Sequence, residues 1–222
     1  MKRLLLSLAL ATVVAAPATA ESVVRQVERS LPAAGISRVY VEFPLSSLKI
    51  RNTASANVHV SGTVERDFVT GRGERKAKEI IDDTDVELSL RGRSLYIRPK
   101  LGPAARGFLR SSRDSKFQLT IDLPRNVDLQ VDQSVGQLNL TGTYGNVEMN
   151  MSVGDIKVAM PRDAVRELLA SASIGEVRTN LGERIVTAEG FFAGSTHFIN
   201  EGGRSTVKVK LRVGDADIEL TD

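Results

Sequence analysis

The chain has no cysteine and no tryptophan, and it carries only three tyrosines, seven phenylalanines and two histidines in 222 residues. The missing cysteines exclude a disulfide framework, a thiolate metal centre and a cysteine nucleophile. Stability must then come from an apolar core or a hydrogen-bonded ladder. So few aromatics point to a slim aliphatic core and leave no platform on which nucleic-acid bases could stack. His59 and His197 have no ligand spacing to each other, whereas a metal site needs three or four converging ligands. No metal or other cofactor is expected. The Gly-x-Ser-x-Gly nucleophile elbow is absent, and Gly71-Arg72-Gly73 is too short for a phosphate-binding fingerprint.

Long apolar runs are missing too. Leu4 to Ala16 spans about thirteen residues, and a membrane-spanning helix needs roughly twenty. With Lys2 and Arg3 before it and Pro17-Ala18-Thr19-Ala20 after it, the run reads as a secretory signal cleaved after Ala20. The mature chain would then run from Glu21 to Asp222 as one β-repeat domain, exported to the periplasm or outer cell surface. The formal net charge of +3 falls to +1 without Lys2 and Arg3, so bulk charge gives no reason to expect a nucleic-acid partner.

What is present is alternation. Val39, Val41 and Phe43 share one face, as do Val86, Leu88 and Leu90. Phe117, Leu119, Ile121 and Leu123 do the same, followed by Val127, Leu129 and Val131, and later by Val207, Val209, Leu211 and Val213. Period two with Gly, Asn, Asp and Ser between the runs predicts short strands, each with one buried face, and hence an all-β fold. Two stretches depart from it. Gly71 to Asp83 suits a short helix or a loop. Pro161 to Ala170 has a helix-like start, yet Leu168, Ala170, Ala172 and Ile174 alternate, which favours a strand.

The most specific feature is a repeat. Ser134-Val135-Gly136-Gln137-Leu138 returns as Ser152-Val153-Gly154-Asp155-Ile156 and as Ser173-Ile174-Gly175-Glu176-Val177, with a degenerate copy at Arg212-Val213-Gly214-Asp215-Ala216. A period near twenty residues fits stacked coils better than an ordinary β-sandwich with similar hairpins. The reading is a β-solenoid (β-helix-like) of stacked short strands from about 117 to 222. A less regular β region from about 36 to 116 would precede it. Leu138, Ile156 and Val177 would stack as one inward ladder and Leu140 with Val158 as another, about 4.8 Å apart, with the glycines at corners. Asp215, Asp217 and Glu219 would guard the last strand as an exposed edge.

The run LPRNVDLQVDQSVGQLNLTGTYGNVEMNMSVGDIKV resembles the bacterial "putative adhesin" family, a domain of unknown function. The resemblance covers about Leu119 to Leu220 well and Val39 to Pro99 more loosely. It implies a β-helix-like solenoid and transfers no catalytic residue. The chain departs from the family pattern between Arg91 and Lys116.

That stretch carries the expected binding feature: Arg91, Arg93, Arg98, Lys100, Arg106, Arg110, Arg113 and Lys116 against Asp114 alone, with Phe108 and Leu109 near the tip of a long surface loop. Such a loop suits an anionic envelope component, whether lipid or lipopolysaccharide, or an acidic protein. The alternative is enzymatic. Asp155 and Glu176, stacked on neighbouring coils beside Lys157 and Arg178, could serve acid–base chemistry on a polysaccharide. Exposed ion pairs of little energetic value are the plainer account, because Tyr144 is the only aromatic between Phe117 and Phe191. The sequence therefore leads to a non-enzymatic cell-envelope binding or scaffold protein, adhesin-like, with no catalytic residues. A polysaccharide-active enzyme and a regulatory partner in envelope stress signalling are the other readings.

Overall fold

A computed structural model describes residues 21–68, 72–103, 115–181, 185–190 and 194–221. The strands are β1 (Glu21–Pro32), β2 (Arg38–Asn52) and β3 (Asn57–Phe68), then, after helix α1 (Arg72–Asp82), β4 (Thr84–Arg91), β5 (Ser94–Leu101) and β6 (Ser115–Leu123). There follow β7 (Asp128–Thr141), β8 (Val147–Pro161), β9 (Val165–Asn180), β10 (Ile185–Gly190), β11 (Gly194–Ile199), β12 (Ser205–Val213) and β13 (Ala216–Thr221). The all-β class holds. Within the stretch from Gly71 to Asp83, Arg72–Asp82 forms α1, which buries Ala77, Ile80 and Ile81. Pro161 ends β8, a single 3-10 turn follows, and the rest of that doubtful stretch is strand β9.

The long strands are bent, and their burial patterns say how. In β8, Val147, Met149 and Met151 are buried before the bend, and Ile156, Val158 and Met160 after it. The inward phase thus slips from odd to even numbers across Ser152–Asp155. The slip recurs in β7 and β9, and across the gap from β12 to β13. Each strand therefore feeds two sheets that face each other across one core. The connection confirms the geometry: β7 and β8 pair in parallel, yet only residues 142–146 join them. Straight parallel strands need a crossover of a dozen residues or more, so five suffice only because the strand doubles back.

At the bends the glycines line up across strands, Gly136 with Gly154 by direct register. A Cβ on Gly154 would overlap the Gly136 carbonyl oxygen, one on Gly214 the Gly154 oxygen, and one on Gly175 the Gly214 oxygen. Their φ values of 127° to 138° also disfavour any other residue. This is the corner role expected of them.

The solenoid is not confirmed. The glycine-marked strands do stack in parallel, but not in chain order. β12 and β13 lie between β8 and β9, and the pairings β8–β12–β9–β13–β8 close a ring, a small parallel barrel-like core to which further strands are added. Leu138 faces Ile156, and Leu140 faces Val158, as expected. Ile156 does not face Val177, because Ala216 stands between them. Nor is the strand bearing Asp217 and Glu219 an edge, since β13 is paired on both sides. The ladder is capped by antiparallel pairings instead: β10 and β11 on β9 at one end, β1 on β3 and β4 on β5 at the other.

Candidate functional site

The outer face of the first sheet, built from β5, β12 and the leading halves of β2, β7, β8 and β9, carries a concavity. It is a trough of about 960 Å³ running across the strands. Alternation puts polar side chains there, and the register stacks them into rows. One row runs Glu42, Asp132, Asn150, Lys210, Ser171 across five strands. A second, two residues nearer the bend, holds Ser134, Ser152, Arg212 and Ser173. Small hydroxyls in the second row open the floor, while Pro44, Pro99 and Arg98 stand at one end.

The first row is partly tied down. Asn150 donates its amide to Asp132 Oδ1 at 2.9 Å, Arg98 donates to Glu42 Oε1 at 2.6 Å, and Lys210 Nζ lies 3.3 Å from Glu148 Oε1. Arg212 is exposed and has no partner among the described residues. A smaller hollow of about 560 Å³ next to it is bordered by Arg38, Tyr40, Glu148 and Lys208. Hydrogen bonding to Tyr40 and to Asp128 raises the Arg38 guanidinium above its usual range.

The predicted basic residues do not form one loop. Arg91 ends β4 and Arg93 sits in the turn before β5, which itself carries Arg98 and Lys100. Arg98 and Arg91 lie 4.7 Å and 5.3 Å from the Tyr96 ring centre, and Tyr96 stacks on Tyr40 at 4.7 Å. Arg93 donates to the Gly35 carbonyl. Lys116, at the start of β6, lies 2.7 Å from Asp67, whose hydrogen bond raises the lysine above its ordinary value. Among the described residues of this set, only Arg98 lines the trough. Arg106, Phe108, Arg110 and Arg113 lie outside the described residues. Lys210 and Arg212 were not foreseen, although Lys208, Lys210 and Arg212 occupy every second position of one strand, which is a readable signal.

The stacked acid pair also changes. Asp215 lies between Asp155 and Glu176 in the chain's ladder, and Asp217 pairs with both Lys157 and Arg178. Arg178 donates to Glu176 at 2.7 Å and stands 3.8 Å from Asp217. These are exposed ion pairs of the structural kind. His59 and His197 lie near Glu28 and Glu167 at 3.8 Å and 3.3 Å. Among the described residues no group of three or more His, Cys, Asp or Glu could hold a metal ion, and no helix is long and apolar enough to cross a membrane.

No protein-family model matches the chain, and no curated protein matches it. Some solved structures align with it at low identity. A "putative cell adhesion protein" from Clostridium sporogenes aligns over 89% of this chain and 100% of its own, at 12% identity and a TM-score of 0.47. A "putative adhesin" from Parabacteroides merdae aligns over 87% of this chain and 81% of its own, at 9% identity and a TM-score of 0.28. A "putative lipid binding protein" from Parabacteroides distasonis aligns over 89% and 97%, at 10% identity and a TM-score of 0.25. Likeness at this level carries no functional argument, which rests on the chain's own surfaces.

Proposed function

We propose that this is an exported, non-enzymatic binding or scaffold protein of the cell envelope, adhesin-like in build, with the trough of the first sheet as its binding surface. The observation that carries the reading is the trough itself: polar rows held in register by parallel strands and open along their length. Rigid strands preorganise such a surface, so little ordering is lost when a partner lies across it. In this reading residues 1–20 are the export signal and the remainder a single domain of solenoid-like bent coils. The ligand is a component of the envelope, and the basic residues around β5 add long-range attraction.

The test is co-sedimentation with purified envelope polysaccharides and with vesicles at low and moderate salt. Ser134→Trp and Ser152→Trp place bulk on the trough floor at exposed positions and should weaken binding about tenfold, with little change in stability. Unchanged binding by both variants would remove the trough from the account. Shortened polysaccharide in the supernatant would overturn the non-enzymatic reading.

A further inference from the structure

The outward row of β12 reads Thr206, Lys208, Lys210, Arg212, so three cations follow one another about 6.8 Å apart on a single strand. That arrangement repels itself unless neighbouring strands answer it. At the Lys208 end they do: Glu148 faces Lys208 across β8 and also takes Lys210 as partner. At the Arg212 end they do not. Arg212 stands level with Ser152 on β8 and Ser173 on β9, and Lys210 faces Asn150 and Ser171. The six positions Asn150, Lys210, Ser171, Ser152, Arg212 and Ser173 hold two cations and no carboxylate.

Some other outward cations in this ladder have acidic partners. Arg51 meets Asp122 at 2.5 Å, Arg38 meets Asp128 at 3.2 Å, and Arg178 meets both Glu176 and Asp217. Arg212 is answered by two hydroxyls for which no partner is recorded among the described residues. A guanidinium fork between two hydroxyl donors, with an ammonium one row away, matches an oxyanion that has several acceptor oxygens. A carboxylate has only two oxygens to share among the fork, the flanking hydroxyls and the ammonium. A phosphate can use all of them.

We infer that Arg212, Lys210, Ser152 and Ser173 form an anion site that receives a phosphate group of the ligand lying in the trough. The inference rests on reading the trough as the binding surface. The phosphate could belong to a lipid headgroup or be free, and the two sources are separable by experiment.

The purified protein is titrated with inorganic phosphate while the amide and arginine side-chain resonances are followed. In parallel it is pelleted with phosphatidylcholine vesicles with and without phosphatidylglycerol. Shifts are expected at 150–152, 171–173 and 210–212. Arg212→Gln should weaken the phosphate interaction about tenfold or more, and Ser152→Ala about threefold. Lys157→Gln, a cation on the opposite sheet, should leave it unchanged. Free phosphate binding marks a soluble source. Binding to phosphatidylglycerol vesicles alone, lost in Arg212→Gln, marks a headgroup. The anion site is overturned if neither probe binds, or if Lys157→Gln loses as much as Arg212→Gln. If envelope polysaccharide still pellets while both phosphate probes fail, the trough reading stands and only the anion site falls.

Discussion

Tyr144, the bulkiest fully buried side chain among the described residues, sits where β7 turns into β8, and its hydroxyl donates to the Thr141 carbonyl at 3.0 Å. Burial, and secondarily the charge of Asp122, push its phenol well above the ordinary value near 10. The proton is therefore held more tightly in the folded state than in the unfolded one. The resulting stability is complete below about pH 10 and declines as pH rises through the folded value. Tyr144→Phe should lose about 1 kcal/mol at neutral pH through the missing hydrogen bond. Above pH 10 its stability should fall less steeply than that of the parent, as denaturant melts at stepped pH would show. Parallel slopes would mean that the phenol does not titrate with unfolding. Little of this was legible beforehand: Tyr144 appears in the sequence only as an isolated aromatic between two repeat units. Gln133 is similar. It stands in an inward position that Phe43, Met151, Leu211 and Ala172 fill elsewhere, and its amide nitrogen donates to the Ser46 carbonyl at 2.5 Å and the Val135 carbonyl at 3.2 Å. Alternation marks where a side chain points and says nothing about an exception serving a bend. Arg212 was hidden for the opposite reason, since one more surface cation breaks no pattern until the strands beside it are known.

The bent strand is the unit from which the molecule is made, and it was the part best readable from the residues. The Ser-Val-Gly-polar-apolar motif or a close copy marks the bends of β7, β8 and β9 and the passage from β12 to β13, and a shift in the phase of inward residues is written into the same lines; β2 bends at Leu45-Ser46-Ser47 without it. Physical necessity explains the legibility: a backbone that passes within contact of the strand below admits no side chain, so glycine must recur. Gly154→Ala should accordingly cost about 3 kcal/mol or more, by combining left-handed backbone strain with overlap on the Gly136 carbonyl. Gly202→Ala, where a Cβ would make only ordinary contact with Asn200, should stay within about 0.5 kcal/mol of the parent. Equal effects in thermal unfolding would deny the glycine row its structural role. At this same bend the row Val135, Val153 and Ile174 is 43%, 43% and 54% exposed. The turn carries these apolar side chains out of the core.

At the scale of the molecule, strand order was the hidden quantity. Every local copy of the motif was visible, yet nothing in a strand's own sequence states which copy will lie beside it. The result is that β8 and β9, whose motifs match closely, are not neighbours. β12 and β13 separate them and bond to both. A chain stopped after residue 204 should therefore lose more than its two missing strands. With β8 and β9 both left unpaired on the facing side, the cooperative unfolding transition is expected to broaden or vanish. A sharp transition at nearly the parent temperature would show that the ladder closes without them. The same insertion sets a problem in time. During synthesis β8 and β9 exist together before β12 has been made, and Ser152-Val153-Gly154 and Ser173-Ile174-Gly175 are alike enough to zip directly to each other. That premature partnership would satisfy both strands and shut the later ones out. The resemblance between copies that makes the finished ladder regular is also its principal kinetic hazard. Speed of folding here depends on two strands with like motifs waiting for a third.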